Sequence, residues 1–274
     1  MKPVSEPAPA KLNLALHVTG RRDDGYHLLD SLVCFAGVGD VVTLTPGGPS
    51  LTIDGPFAAG LSTTDNLCLR AADLAGGAAQ IALTKNLPVA SGIGGGSADA
   101  AAVLRGLAQM GHPLPRAPER LGADVPVCLA GRPARMQGIG EHITPLPPLP
   151  ALHLVLVNPG IALSTPQVFS ALTCRDNPPL PPIPIFADLN ALIHWLRATR
   201  NDLEPPARQI APVIGDVLDA LTAQGAAFAR MSGSGATCFG LFDRADHAER
   251  AATALSHNGW WAVATELAQP ATAR

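Results

Sequence analysis

The chain has 274 residues, 47% of them apolar and 15% charged, with a formal net charge of −3. That balance supplies a core large enough for two lobes and excludes an intrinsically disordered chain. It also excludes the broad basic surface that non-specific nucleic-acid binding needs, and no apolar run is long enough to span a membrane.

Residues 10–18, AKLNLALHV, alternate with leucine at Leu12, Leu14 and Leu16, which predicts a strand with Lys11 and Asn13 on its other face. RRDDGY makes a turn. Residues 28–35 and 40–45 predict two further strands, the second ending at PGGP. Residues 66–74 predict a helix closed near Gly76 and Gly77, and 80–84 a short strand. The glycine cluster that follows is read as non-helical, so the Ala- and Leu-rich helix after it begins at Ser97 as N-cap, with Asp99 in its first turn. The run PLPPLP at 145–150 marks a boundary between a domain over residues 1–148 and one over 149–274. Beyond it, 152–157 predicts a buried strand, NPPLPPIP at 177–184 an extended connector, and 189–199 and 210–224 two helices. Residues 227–231 predict a strand entering MSGSGATCFGLF, and 245–256 a last helix.

The five cysteines, Cys34, Cys68, Cys128, Cys174 and Cys238, are widely spaced and include no C-x-x-C. They are expected as buried apolar residues in a reducing compartment, not as a disulfide framework or zinc site. The opening MKPVSEPAPAKLNLAL lacks the long apolar core of a signal peptide, so a cytoplasmic location is expected. Only three lysines occur, Lys2, Lys11 and Lys85, in a chain that otherwise uses arginine. A lysine is a compact point charge suited to a single phosphate oxygen, which singles out Lys11 and Lys85.

The stretch PVASGIGGGSA comprises Pro88, Val89, Ala90, Ser91, Gly92, Ile93, Gly94, Gly95, Gly96, Ser97 and Ala98, between a strand and a helix. Glycines let backbone approach an anion closely, and the helix start behind them offers free N–H groups at its positive end. The chain has no Gly-Lys pair for a Walker loop, and Ser97 stands where a dinucleotide fingerprint needs its third glycine.

PVASGIGGGSADAAA resembles the central motif of the GHMP kinases. In the family's order, PAKLNLAL at 9–16 is similar to its N-terminal motif and MSGSGATCFG at 231–240 to its C-terminal glycine motif. GRRDDGYHLLDSL at 20–32, LGADVPVCLAG at 121–131, GIGEHITPLP at 138–147, STPQVF at 164–169 and NDLEPP at 201–206 narrow the resemblance to the branch acting on a cytidine-diphosphate-linked polyol. Three segments depart from the pattern. Residues 111–120 are short and proline-rich where relatives carry a helix, Cys128 stands where an aromatic is common, and 181–200 matches nothing.

The resemblance implies an α+β fold in two lobes, the first like ribosomal protein S5 domain 2 and the second a ferredoxin-like α/β sandwich. It implies ATP-dependent phosphorylation of an alcohol in the cleft between them. Asp124 is expected to take the proton of the substrate hydroxyl, with Lys11 beside it stabilising charge on the transferring group. Pro88 to Ala98 hold the ATP phosphates, and Asn66 and Lys85 lie toward its base and ribose. Asn13 and Thr165 contact substrate, and the glycine loop at 233–235 closes on it. Tyr26, the one tyrosine, stacks on the cytosine while His27 bonds its edge, with Trp195 as a second stacking partner. Mg2+ is expected between the β- and γ-phosphates, held by ATP with no protein residue assigned as a metal ligand. No nucleic-acid or membrane partner is expected, and the chain is a monomer or weak homodimer. Two alternatives stay open: another GHMP small-molecule kinase of homoserine or mevalonate type, or a GHMP-like binding protein without catalysis.

Overall fold

The computed structural model of the chain describes residues 2–268. Strand β1 (Val4–Arg21) runs antiparallel to β2 (His27–Pro46) through a hairpin turned at Gly25, whose φ is +91°. The two strands expected at 28–35 and 40–45 are therefore one. The break expected between them is bridged because Gly39 passes close under β1: a Cβ there would stand 2.4 Å from Ala8 O. The pairing register shifts at this point, between Pro9 and Lys11, and the glycine absorbs it.

Strand β3 (Ser50–Asp54), helix α1 (Leu67–Leu74) and strand β4 (Ala79–Thr84) follow. Next come helix α2 (Gly95–Gln109), a 3-10 turn over Pro118–Leu121, helix α3 (Val125–Ala130), and strands β5 (Ala134–Gly138) and β6 (His142–Pro145). The first sheet has the order β3-β4-β2-β5-β6, with β1 along β2. Helices α1, α2 and α3 cover one face through a core that includes Leu44, Ile81, Leu104 and Val127.

The second half holds β7 (His153–Asn158), α4 (Thr165–Ser170), α5 (Leu189–Arg197), α6 (Glu204–Ile210), α7 (Val213–Ala223), β8 (Phe228–Met231), β9 (Cys238–Phe242), α8 (Ala245–Ser256) and β10 (Trp261–Glu266). Its sheet has the order β10-β7-β9-β8, antiparallel throughout. The path β7-α7-β8-β9-α8-β10 is the ferredoxin-like unit, as the resemblance implied. The α+β class holds.

Alternation along β7 divides two cores. Val155 and Val157 face α7 and α8, while Leu154 and Leu156 face the first sheet. There they meet Ala10, Leu12 and Leu14 of β1 and Leu32 and Cys34 of β2, all fully buried. Strand β1 is therefore common to both lobes. Its other face carries Lys11 and Asn13, as period-two spacing requires.

The connector over residues 171–188 has no helix or strand. It is tied down instead by hydrogen bonds from Leu180 N to Asp30 Oδ2 (2.9 Å), from Asn177 Nδ2 to Val18 O (3.0 Å) and from Trp195 Nε1 to Pro182 O (3.0 Å). Trp195 packs edge-on against Phe186 in the core between the sheets, so it is no stacking partner for a ligand. Its indole N–H already has a buried acceptor, which is what holds a tryptophan in a core. Cys174 in this connector is exposed, against the expectation of burial, while the other four cysteines are buried. Helices α3, α4 and α6 are absent from the sequence reading. Each is short and has proline in its first turn, where the missing N–H costs nothing.

Candidate active site

Lys11 Nζ lies 2.8 Å from Asp124 Oδ2, joining residues 113 apart in the chain. Asp124 occupies the N-cap position of α3, yet its side chain caps no amide there. The carboxylate is instead turned to Lys11 and stays 30% exposed while the lysine side chain is 5% exposed. A buried cation presents a partly open carboxylate to a cleft, the geometry a proton acceptor needs.

The pair rests against the start of α2. Gly94 is the N-cap with φ +64°, and a Cβ on it would press on Lys11 Cβ at 3.2 Å and reach Asp124 Oδ2 at 3.7 Å. Two expectations need correction here. The helix begins at Gly95, so Gly95 and Gly96 are helical and Ser97 lies in the first turn, not at the N-cap. No side chain caps this helix, and its first bond to the preceding turn is Ala98 N to Gly94 O at 2.8 Å. The amides of Gly95, Gly96 and Ser97 thus remain free for an anion, with the helix dipole behind them.

The carbonyls of Ser91, Gly92 and Ile93, by contrast, are taken up. Ile93 O accepts from Lys11 N at 2.9 Å and Ser91 O from Thr237 N at 3.1 Å. Ser232 Oγ donates to Gly92 O at 3.1 Å and accepts from Asn13 N at 3.1 Å. Gly92 leaves no room for a side chain, since a Cβ would fall 2.5 Å from Ser232 O. Ala90 holds φ +50°, the one non-glycine in the left-handed region among the described residues, as happens where a binding loop stores strain. The three segments singled out by sequence therefore form one hydrogen-bonded unit, with acceptors facing inward and donors facing the cleft.

Lys85 is 4% exposed beneath this loop, its ammonium bonded to Asp40 and, at 2.7 Å, to Asp99. It borders the cleft but offers no free ammonium to a nucleotide. Asp40 Oδ1 also accepts from Asn86 N and Leu87 N at 2.6 and 2.8 Å, which fixes the entry to the loop. Burial acts against the charge on Lys85, but Asp99 and Asp40 outweigh it and raise its pKa. Asp99 is raised from 3.8 to about 7, chiefly by burial, against the pull of Lys85 and with Asp40 adding to the rise. Stability tied to the Asp99 proton is fully present below about pH 4 and is lost as pH rises through about 7. Asp99→Asn should therefore melt progressively higher relative to wild type as pH goes from 5 to 8, in thermal unfolding followed by circular dichroism. A difference that does not change with pH would mean that Asp99 stays charged throughout.

Asn66 is the N-cap of α1, accepting from Cys68 N at 3.0 Å, and lines the cleft beyond the loop. At the other end of the cleft Tyr26 is 61% exposed, and His27 stacks on Phe169 with ring centroids 4.8 Å apart. His27 Nε2 and Asn13 Oδ1 are buried without a hydrogen-bond partner. Burial, then the charges of Arg21 and Arg175, lower the His27 pKa, so the ring is neutral at pH 7 and can donate or accept. Thr165 Oγ1 bonds Ser234 Oγ at 2.8 Å, linking α4 to the C-terminal glycine loop. Phe169 is the residue sequence reasoning missed. It was visible as the aromatic ending STPQVF, four residues past Thr165 and so on the same face of α4.

All of these border one cleft of about 1130 Å³ between the lobes, room for two small molecules end to end. Among the described residues no three His, Cys, Asp or Glu side chains converge as a metal cage, and no helix is long and apolar enough to cross a membrane.

The family model for the GHMP kinases N terminal domain matches residues 63–132, and that for the GHMP kinases C terminal region matches residues 184–259. The chain is 64% identical over 267 residues to the 4-diphosphocytidyl-2-C-methyl-D-erythritol kinase of Paracoccus denitrificans, covering 96% of both chains. It is 58% identical to the protein of that name in Ruegeria pomeroyi, covering 93% of this chain and 95% of that one. A crystal structure of 4-(cytidine 5'-diphospho)-2C-methyl-D-erythritol kinase superposes with a TM-score of 0.79 at 37% identity, over 97% of this chain and 100% of that one. Homoserine kinase from Cytophaga hutchinsonii, at TM-score 0.62 and 19% identity over 97% of this chain and 95% of that one, shares the fold alone.

Proposed function

The chain belongs to the 4-diphosphocytidyl-2-C-methyl-D-erythritol kinases of the GHMP family, and on that premise we propose that it phosphorylates the 2-hydroxyl of 4-diphosphocytidyl-2-C-methyl-D-erythritol with ATP. The products are the 2-phosphate and ADP, on the non-mevalonate route to isoprenoid precursors. The observation that carries this reading is the Lys11–Asp124 pair set at 2.8 Å against the uncapped start of α2.

The free amides of Gly95, Gly96 and Ser97 cradle the triphosphate, and the residues around Asn66 receive the nucleoside. Asp124 accepts the proton of the 2-hydroxyl as its oxygen bonds the γ-phosphorus, while the bond from that phosphorus to the β,γ-bridging oxygen breaks. Lys11 offsets the negative charge spread over the equatorial oxygens. The open start of α2 fits a magnesium nucleotide, and the Ser97 hydroxyl in its first turn would bind the metal or a phosphate oxygen. Mg2+ there would neutralise phosphate charge. At the far end the cytosine lies between Tyr26 and Phe169, with His27 Nε2 on its edge and Asn13 Oδ1 toward the polyol. The same reading makes residues 1–148 the ATP-binding domain and 149–274 the C-terminal domain of a cytoplasmic monomer or weak homodimer.

An acceptor panel tests it. With ATP and Mg2+, the purified protein should turn over the cytidine-linked polyol at least about a hundredfold more efficiently than homoserine or mevalonate, since a pocket with buried unpaired polar atoms rejects acceptors that leave them unpaired. Preference for homoserine or mevalonate would overturn the assignment. ATP binding without transfer to any of the three would favour a binding protein.

A further inference from the structure

The cytidine end of the cleft holds two guanidinium groups with no carboxylate partner among the described residues. Arg21 is the last residue of β1 and pairs in register with His27 across the hairpin. Arg175 follows α4 in the connector, six residues beyond Phe169. They reach the cleft from opposite lobes, and both border it. Arg21 Nε donates to Gly25 O at 3.2 Å, and one terminal nitrogen of Arg175 makes a long contact of 3.5 Å to Ser170 O. Arg175 Nε is buried with no hydrogen-bond partner at all. The neighbouring Arg22, by contrast, is paired with Asp24 at 2.7 Å, which also neutralises the one carboxylate at this end of the cleft.

Resting on the reading of the cleft as a cytidine site, we propose that Arg21 and Arg175 together grip the diphosphate of the substrate and make its charge a condition of tight binding. Two forks that match phosphate oxygens, one from each lobe, stand beside the ring that reads the base. A cation would be repelled there, and a neutral nucleoside would leave both guanidiniums without a counter-charge. Both guanidiniums line the same cleft as His27, and Arg21 is its cross-strand partner, so a group attached to a nucleoside held by His27 lies toward them. The diphosphate is that group, since it joins the cytidine to the polyol. Holding it from both sides also sets how far the 2-hydroxyl travels toward Asp124.

The test is titration with cytidine, cytidine 5'-monophosphate and cytidine 5'-diphosphate by calorimetry, on wild type, Arg21→Gln, Arg175→Gln, the double variant and Arg175→Lys. Wild type should bind the diphosphate at least about a hundredfold tighter than cytidine, from about tenfold per charge-assisted contact. Each Gln variant should lose about tenfold of that preference, the double variant nearly all of it, and Arg175→Lys less than Arg175→Gln. The KM for the cytidine-diphosphate substrate should rise accordingly while the KM for ATP stays put, a split that mere loosening of the fold would not give. An unchanged preference for the diphosphate in the double variant overturns this inference and leaves the kinase reading standing. Failure of wild type to bind any of the three probes overturns both.

Discussion

Asp124→Asn should lower kcat about a thousandfold and leave ATP affinity within about twofold, a loss within the range of general-base catalysis. Asparagine keeps the size of the side chain, and its oxygen still accepts from Lys11 Nζ, now 2.8 Å from Asp124 Oδ2. What it cannot do is take a proton. The amides that hold the phosphates belong to α2 and do not touch residue 124, so binding of the nucleotide is spared. Steady-state kinetics with the cytidine substrate and calorimetric titration with a non-hydrolysable ATP analogue separate the two quantities. Turnover at the wild-type rate would remove Asp124 from the chemistry, and equal loss of both quantities would make it a structural residue.

Gly92→Ala should reduce ATP affinity by about a hundredfold and lower the melting temperature by several degrees. The residue holds φ +74°, which costs an alanine about 1–2 kcal/mol. More seriously, the new methyl would lie 2.5 Å from Ser232 O and 2.7 Å from Gly235 N, both backbone atoms that cannot swing aside. The two glycine loops must then separate, and the loop amides move with them. Gly76→Ala serves as the comparison, because its φ of +62° carries the same backbone strain while a Cβ there meets nothing within 4 Å. Equal effects of the two substitutions would show that strain alone matters and that contact between the loops does not.

Much of this site could be read along the chain because its parts are local. Lys11 and Asn13 follow from alternation with Leu12 and Leu14, and the phosphate loop from four glycines in the five residues 92–96 before an Ala-rich stretch. The N-cap of α2 lies at Gly94, three residues before the expected Ser97, because helix propensity penalises glycine, whereas here bare backbone at the helix start keeps donors open to a ligand. Lys85 was legible as unusual but not as buried: its partners Asp40 and Asp99 lie 45 and 14 residues away. No local pattern announces such a cluster. Trp195 stands out in the sequence for its ring, yet a ring's surroundings are set by tertiary packing, and Phe169 on a short proline-initiated helix is the second-lobe aromatic that lines the cleft. The arginine pair was invisible for the same reason, since lack of a partner is a property of the folded molecule.

Strand β1 is the seam of the molecule as well as the support of its chemistry. Ala10, Leu12 and Leu14 are sealed against Leu154, Leu156 and Phe239, while Lys11 and Asn13 look the other way. The halves on either side of residue 148 are consequently not interchangeable cassettes. Cutting the gene there would strip the greasy back of the first sheet and leave each fragment sticky and prone to precipitate. The ammonium that serves phosphoryl transfer is held on a backbone whose rigidity is contributed by the opposite half of the polypeptide, so a methylene shaved from that distant layer can be felt at the reacting phosphorus.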